Sequence, residues 1–282
     1  SGQAGSAIAP RLLTAAPHRV LFLIGGFSVL RAVAWWTLWL IETRWQSLGW
    51  PTAPLHAGWA HAFVMQYQVL TPFIFGFLLT VFPRWMSLPP LTAWHYVPVG
   101  LGLLSGQLLL LAGLWGWPHL IHLGTVNTLA GWLAGVAVLA RLLWQDGGKN
   151  WHAVSCVAAL ALGLVGLAAF LVFLQTNDAR LAFAAIKLGI FGLLLPIYLT
   201  VAHRMFPFFA ANVMPGYRPW RPLWLLAACW PPLLAHLGLE LAHAYAWLWL
   251  ADLPLLALTG YWLACNWPAA GAPPLLRVLF IG

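Results

Sequence analysis

Residues 151–175 read WHAVSCVAALALGLVGLAAFLVFLQ, a run without a single charged side chain. A helix of this length, at about 1.5 Å per residue, is longer than the roughly 30 Å hydrocarbon core of a bilayer. Seven other runs of similar length and composition predict further transmembrane helices. The eight predicted helices lie near residues 20–41, 57–82, 96–115, 119–144, 151–175, 181–203, 222–241 and 245–266, and a ninth begins at Leu275. The predicted fold class is therefore all-α, a polytopic transmembrane helix bundle.

The composition supports this interpretation and excludes two other classes of protein. Hydrophobic residues make up 62% of the chain, charged residues only 6%, and the mean hydropathy is +0.85, whereas a soluble domain carries about 25% charged residues. The net charge of +8 comes from 13 Lys and Arg that are scattered between the apolar runs. No basic patch forms, so the sequence indicates neither a soluble enzyme nor a nucleic-acid-binding protein.

The basic residues instead predict an orientation in the membrane. When the predicted helices are placed across the membrane in alternating directions, only Arg44 and Arg180 lie on one side. Most other basic residues lie on the opposite side. Because cytoplasmic loops are enriched in Lys and Arg, we expect a cytoplasmic N-terminus. The basic residues on the expected cytoplasmic side are Arg11, Arg19, Arg84, Arg141, Lys149, Arg204, Arg218, Arg221 and Arg277.

We interpret residues 1–282 as one transmembrane domain, with an internal repeat left open. Leu79-Thr80-Val81 followed by Arg84, and Leu199-Thr200-Val201 followed by Arg204, both close a predicted helix, and they lie four helices apart. This spacing is compatible with two four-helix units near 20–144 and 151–266. Chance similarity in so Leu-rich a chain is the alternative.

Six of the ten histidines fall near the predicted outer face. At about 1.5 Å per residue, His61, His122 and His236 each lie roughly 6–10 Å inside their helix ends, a similar depth on three helices. Neutral imidazole is the commonest metal ligand, so these three histidines predict a metal or haem site, with His56 or His119 assisting. Met65 lies one turn after His61 and joins the candidate ligands. The six outer histidines are His56, His61, His119, His122, His236 and His243.

The alternative for any one of these histidines is a hydrogen bond to water or to a neighbour at the membrane interface. We apply that interpretation to His18, His95 and His152, which lie in or beside the predicted cytoplasmic loops.

Three formal charges lie inside predicted helices and need partners. Lys187 and Asp252 are at comparable depths, so they predict a buried charge pair. Arg31 is expected to face polar groups, a cavity or an anionic cofactor group such as a haem propionate. A pair that only fixes helix packing is the alternative.

The string His203-Arg204-Met205-Phe206-Pro207-Phe208-Phe209 ends the sixth predicted helix. Pro196 lies upstream and is expected to kink this helix. His203 is a candidate metal ligand, and Arg204 a partner for an anionic group, although interfacial anchoring explains both residues as well. With only five acidic residues and no hydrolase motif, acid–base hydrolysis is not expected.

Four stretches of the sequence stand out, namely Trp59-Ala60-His61-Ala62 with Met65, 76–85 with 88–91, 203–209 and 274–279. In this order they resemble the NnrS family. The family usually places a second histidine and an acidic residue after His61, where this chain has Phe63 and Val64. Any ligand at that second position is therefore lost or replaced by His56 or the pair on the fourth helix.

The resemblance implies a multi-pass protein of the bacterial inner membrane that carries haem b and copper and is linked to nitric oxide. It implies no secure catalytic reaction. It also implies about twelve helices, so we expect further helices beyond Gly282, with a shortened member of the family as the alternative.

Two other functional classes remain open from the sequence. The first is a cofactor-free transporter of small molecules or metals, in which Arg31, Lys187, Asp252 and the bend at Pro196 line a pathway. The second is a structural or accessory subunit of a larger membrane assembly, such as a respiratory one, whose many Trp and Phe residues contact lipid or other subunits.

Overall fold

A computed structural model describes residues 12–46, 49, 54–268 and 271–281. Within these residues the regular structure is entirely helical. Eight of the helices are long and apolar enough to cross a membrane, so the chain is a multi-pass membrane protein and the predicted fold class is confirmed. The helices are α1 Pro17–Trp45, α2 Ala57–Trp85, α3 Ala93–Leu114, α4 His119–Gln145, α5 Trp151–Thr176, α6 Ala179–Val213, α7 Leu223–Leu241, α8 Tyr245–Asn266 and α9 Pro274–Ile281.

The bounds agree with the predicted runs except at the end of α6. That helix continues past residue 203 to Val213 and contains Pro207 in its interior. The backbone N–H of Met214 donates to the Ala210 carbonyl at the helix end. The missing N–H of Pro207 therefore does not end the helix, although proline is disfavoured at such positions in general.

Two of the membrane-spanning helices contain a π-helical segment. It covers Val64–Val69 in α2 and Leu188–Leu194 in α6, and each segment is followed within three residues by a proline, Pro72 or Pro196. A proline cannot donate to the carbonyl four residues before it, so the helix must adjust locally. The sequence predicts a bend at Pro196, and the wider turn lies directly before that residue.

The chain divides into two compact units. Unit 1 comprises Ser1–Asn150 with Leu160–Gly189, and unit 2 comprises Trp151–Ala159 with Ile190–Gly282. The division falls within α5 and α6, whereas the predicted four-helix units divide between residues 144 and 151. The internal repeat stays a prediction.

The core of unit 1 depends on close helix packing and buried aromatic rings. A Cβ atom at Gly102 in α3 would lie 2.6 Å from the Cα atom of Gly131 in α4, so only glycine permits this approach. The indole of Trp132 is fully buried and donates to the Tyr67 carbonyl at 3.2 Å. The Tyr67 hydroxyl donates in turn to the Ala185 carbonyl at 2.6 Å. These bonds fix the backbone around the π-helical segment of α2.

Unit 2 packs α9 against the end of α6. Ala210, Leu276 and Phe280 are buried together, and Phe206 and Trp262 pack against them. Many large apolar side chains on the helix surfaces are exposed, as helices that contact lipid require.

Candidate functional site

A buried polar cluster of unit 2 joins the first turn of α5 to α6. His152 Nε2 lies 3.0 Å from His203 Nδ1, and Arg204 Nη1 lies 3.3 Å from His152 Nδ1. His152 is 5% exposed and His203 is 3% exposed. The backbone carbonyl of Pro222 also interacts with the His203 ring. Burying a polar group costs free energy unless it has a hydrogen-bond partner. We therefore expect these side chains to hold one defined arrangement.

The guanidinium determines the direction of these hydrogen bonds. Arg204 only donates, so His152 Nδ1 must accept. A neutral imidazole has one donor and one acceptor nitrogen, so His152 Nε2 donates and His203 Nδ1 accepts. The hydrogen of the His203 ring is therefore on Nε2, a buried atom, and the interaction of this ring with the Pro222 carbonyl falls short of good hydrogen-bond geometry.

A second set of hydrogen bonds lies one turn further along the same two helices. Trp230 Nε1 donates to Ser155 Oγ at 2.9 Å, and Ser155 Oγ lies 2.6 Å from Thr200 Oγ1. Thr200 donates to the Pro196 carbonyl at 2.7 Å, so Ser155 must donate to Thr200. This chain satisfies the carbonyl of Pro196 at the start of the regular part of α6.

His152 hydrogen-bonds to neighbours on both nitrogens, as the interfacial interpretation allows, but its side chain is buried. The sequence does contain a signal for it. His152 and Ser155 are three residues apart in an otherwise apolar run, so both lie on one helix face, and polar groups that share a face inside a membrane tend to have partners.

The candidate ligand His236 has a different environment within unit 2. Its Nδ1 atom lies 2.7 Å from Asp252 Oδ1, and the Phe191 ring packs 4.0 Å from the imidazole. His236 Nε2 is buried and makes no hydrogen bond to any described residue. Glu240 Oε1 lies 3.7 Å from this nitrogen. A carboxylate that holds one ring nitrogen is the arrangement commonly found behind metal-binding histidines.

In unit 1, His61 packs face to face with Trp36, with ring centroids 4.1 Å apart. Trp36 stacks in turn on Trp39 at 4.8 Å. His61 Nδ1 is buried and finds no hydrogen-bond partner among the described residues. His61 therefore offers a ring nitrogen suited to metal ligation, within an aromatic environment.

The other predicted histidine ligands of unit 1 are exposed, whereas Met65 is half-buried, as His61 is. His122 Nε2 donates to the Leu174 carbonyl at 3.0 Å, which leaves Nδ1 as the acceptor nitrogen. His56 precedes α2 and packs on Trp59, His119 is the first residue of α4, and Met65 lies in the π-helical segment of α2. Among the described residues, no three His, Cys, Asp or Glu side chains form a group that could hold a metal ion.

Comparison with known proteins identifies the family. The family model described as NnrS protein matches residues 12–282. The chain belongs to the NnrS family. No curated protein and no solved structure matches this NnrS chain.

The charged residues inside the spans of this NnrS protein have polar or aromatic partners. Arg31 donates to Gln107 Oε1 from Nε at 3.1 Å and from Nη2 at 2.7 Å, and also contacts Ser28. It therefore faces polar groups, one of the environments expected from the sequence. The Lys187 ammonium lies 5.3 Å from the Phe183 ring centroid. The predicted pairing of Lys187 with Asp252 stays a prediction.

The NnrS resemblance implies haem and copper, and the histidine nitrogens can be compared with both. Haem iron takes one or two protein ligands. His236 Nε2 and His61 Nδ1, buried without a hydrogen bond to a described residue, fit such a ligand. A copper site built from three protein ligands has no matching group among the described residues. His203 is a less suitable ligand, since its Nε2 would first have to lose a hydrogen.

Proposed function

We propose that this NnrS family protein is a membrane haem b protein that binds nitric oxide, with His236 as an iron ligand. The proposal rests on the different environments of the two ring nitrogens of His236. A carboxylate holds Nδ1, and Nε2 is buried without a hydrogen bond to a described residue. In the proposed topology this site lies near the outer face of a bacterial inner membrane, with the N-terminus in the cytoplasm.

Asp252 determines how the His236 ring presents Nε2. The carboxylate accepts the hydrogen of Nδ1, which fixes the tautomer and leaves the lone pair on Nε2. The Phe191 ring restricts rotation of the imidazole by packing 4.0 Å from it. When bound, a haem iron supplies a binding position for nitric oxide and exchanges one electron. The Glu240 carboxylate, 3.7 Å from Nε2, favours positive charge at this position.

His61 and His122 are the corresponding candidates in unit 1. The stacked rings of Trp36 and Trp39 beside His61 give it an apolar environment, which suits a buried cofactor. The Leu174 carbonyl orients the His122 ring, as backbone carbonyls do for metal-binding histidines. We keep both residues as proposed ligands of haem or copper, with His56, His119, His203 and Met65 as secondary candidates and Arg31 as a partner for a cofactor carboxylate.

The test is a reduced-minus-oxidised visible spectrum of the detergent-purified protein, with iron and copper analysis of the same sample. We expect haem bands that shift when nitric oxide is added. His236→Ala should remove most of the haem absorption, because it deletes the nitrogen that would hold the iron. Asp252→Asn should retain haem but raise its reduction potential, since a neutral amide makes the ring a weaker electron donor.

His243→Ala is the matched control, because His243 is exposed just after α7 and bonds to the Tyr245 hydroxyl. A wild-type protein without haem bands, iron or copper would refute the metal function. Full haem loading in His236→Ala, together with loss in His61→Ala or His122→Ala, would instead assign the ligand to unit 1.

A further inference from the structure

A cavity of about 410 Å³ lies within unit 1, where the start of α1 meets the end of α2. Its volume is within the roughly 300–1,000 Å³ of small-molecule sites. Leu79 and Leu91 form an apolar part of its wall, and His18, Thr80 and Arg84 also line it. No acidic side chain is among the described lining residues. Because α1 and α2 are long enough to span a membrane, a cavity at their ends lies near a membrane surface.

Arg84 supplies a positive charge to this cavity. It lies in the last turn of α2, its side chain is exposed, and it makes no hydrogen bond or ion pair with a described residue. The corresponding arginine of α6, Arg204, lies 3.3 Å from His152 Nδ1. Arg204 thus has a partner within the protein, whereas the Arg84 guanidinium keeps its five N–H donors for water or for a ligand.

The start of α1 adds positive potential to the same cavity. Ala16, the residue before α1, lines the cavity and provides no side-chain cap, and the first turn of α1 has no acidic side chain. The N-terminus of a helix carries a partial positive charge, which attracts anions. The C-terminal end of α2 offsets part of this potential, but its Pro83 carbonyl already accepts from the Leu88 N–H at 2.8 Å.

His18 has one ring nitrogen left for a ligand. Thr80 donates its hydroxyl hydrogen to the Gly76 carbonyl at 2.7 Å, so it accepts from His18 Nδ1 at 3.3 Å. His18 Nε2 makes no hydrogen bond to a described residue. A neutral His18 ring accepts at Nε2 from a P–OH group, and a protonated ring donates there to a phosphate oxygen. Both forms of His18 therefore suit a phosphate group.

We propose that this cavity binds a phosphate group, with Arg84 as its main partner and the start of α1 beside it. A planar guanidinium donates two parallel hydrogen bonds to a phosphate, a geometry that an ammonium group does not provide. The phosphate has two sources, the headgroup of a membrane lipid and free inorganic phosphate. The leucines of the wall and the position near a membrane surface favour the lipid, whose glycerol and acyl groups contact such a wall.

Calorimetric titration of the detergent-purified full chain tests the proposal with three probes, each corrected by a titration into protein-free micelles. Dihexanoyl phosphatidic acid carries a lipid phosphate, dihexanoylglycerol has the same chains without the phosphate, and sodium phosphate supplies the free anion. We expect saturable binding of the phosphatidic acid that weakens as NaCl is raised, and none of dihexanoylglycerol. Tighter binding of the lipid than of phosphate identifies a headgroup as the source, and equal or tighter binding of phosphate identifies the free anion. No haem is needed, so a failure here is distinct from a failure of the proposed function.

Variants of Arg84 locate the site. Arg84→Gln should weaken binding roughly 10- to 100-fold, because it removes hydrogen bonds between charged groups. Arg84→Lys keeps the charge but not the planar fork, so its affinity should lie between those of Arg84→Gln and the wild type. Arg141→Gln is the matched control and should leave the affinity unchanged, because Arg141 is exposed, belongs to the same predicted membrane side and does not line the cavity.

A variant that fills the cavity provides an independent readout. Ala15 is exposed and lines the cavity, so Ala15→Trp should weaken binding while every charge is retained. Absence of saturable binding for both phosphate probes would overturn the proposal. Equal losses in Arg84→Gln and Arg141→Gln, unchanged binding in Ala15→Trp, or equal binding of phosphatidic acid and dihexanoylglycerol would overturn it as well.

Discussion

The ends of α2 and α6 carry the same short string in two different environments. In α2, Thr80 donates to the Gly76 carbonyl at 2.7 Å and lies 3.3 Å from His18 Nδ1, in the first turn of α1. In α6, Thr200 donates to the Pro196 carbonyl at 2.7 Å and lies 2.6 Å from Ser155, in the first turns of α5. In each unit, the threonine thus joins a span to the start of the preceding helix.

The difference between the two ends lies in the residue before the arginine. It is Pro83 in α2 and His203 in α6. Proline has no side-chain nitrogen, so His18 bonds only to the threonine among the contacts described. The α6 string has an imidazole at this place, and His152 and Arg204 form a buried network with it. This difference in one residue thus distinguishes a single contact in α2 from a buried network of three side chains in α6.

The largest expected effect comes from removing the histidine at the start of each preceding helix. His152→Leu deprives Arg204 of one acceptor and His203 of its donor, so we expect about 2–4 kcal/mol lower stability. His18→Leu removes one half-buried bond and should cost about 1 kcal/mol or less. Equilibrium unfolding in SDS, followed by circular dichroism, measures both. Equal losses would mean that the His152 network is no more specific than the His18 contact.

The sequence predicts more of the helices than of this network, for a physical reason. A transmembrane helix is determined by the length and apolarity of one continuous segment, so the sequence predicts all eight spans. His152 is buried because it hydrogen-bonds to residues of α6. The sequence around His152 does not indicate which residues these are. His203 and Arg204 are recognisable from the sequence, because they form a polar pair at the end of a predicted apolar helix.

The bond between Asp252 and His236 shows the same limit. The distance of a residue from the membrane surface can be counted along its helix. On that basis the sequence predicts Lys187 as the partner of Asp252. The choice among partners at similar depth depends on rotation of each helix about its axis, which propensity does not determine. The sequence predicts both His236 and Asp252 as site residues, but only the folded structure shows their 2.7 Å contact.

A smaller effect is expected from the threonines themselves. Thr200→Val keeps the shape of a fully buried side chain but leaves the Ser155 hydroxyl without its acceptor, at a cost of about 1–3 kcal/mol. Thr80→Val acts on a half-buried site where water can replace the lost bond, so about 0.5–1 kcal/mol is expected. The same SDS unfolding series gives both values. A larger loss for Thr80→Val would show that the α2 end is the better-ordered one.

The smallest effect concerns the indole nitrogens on the α6 side of the comparison. Trp230→Phe removes the donor to Ser155, and we expect a loss of about 0.5–1.5 kcal/mol. Trp262→Phe removes a buried N–H that makes no hydrogen bond to a described residue, so stability should be unchanged or slightly higher. Thermal unfolding in detergent without added ligand measures the pair. A paired indole N–H stabilises the fold and an unpaired buried one destabilises it, so the two variants should differ. If Trp262→Phe destabilises the protein as much as Trp230→Phe, the Trp262 nitrogen has a hydrogen-bond partner of its own.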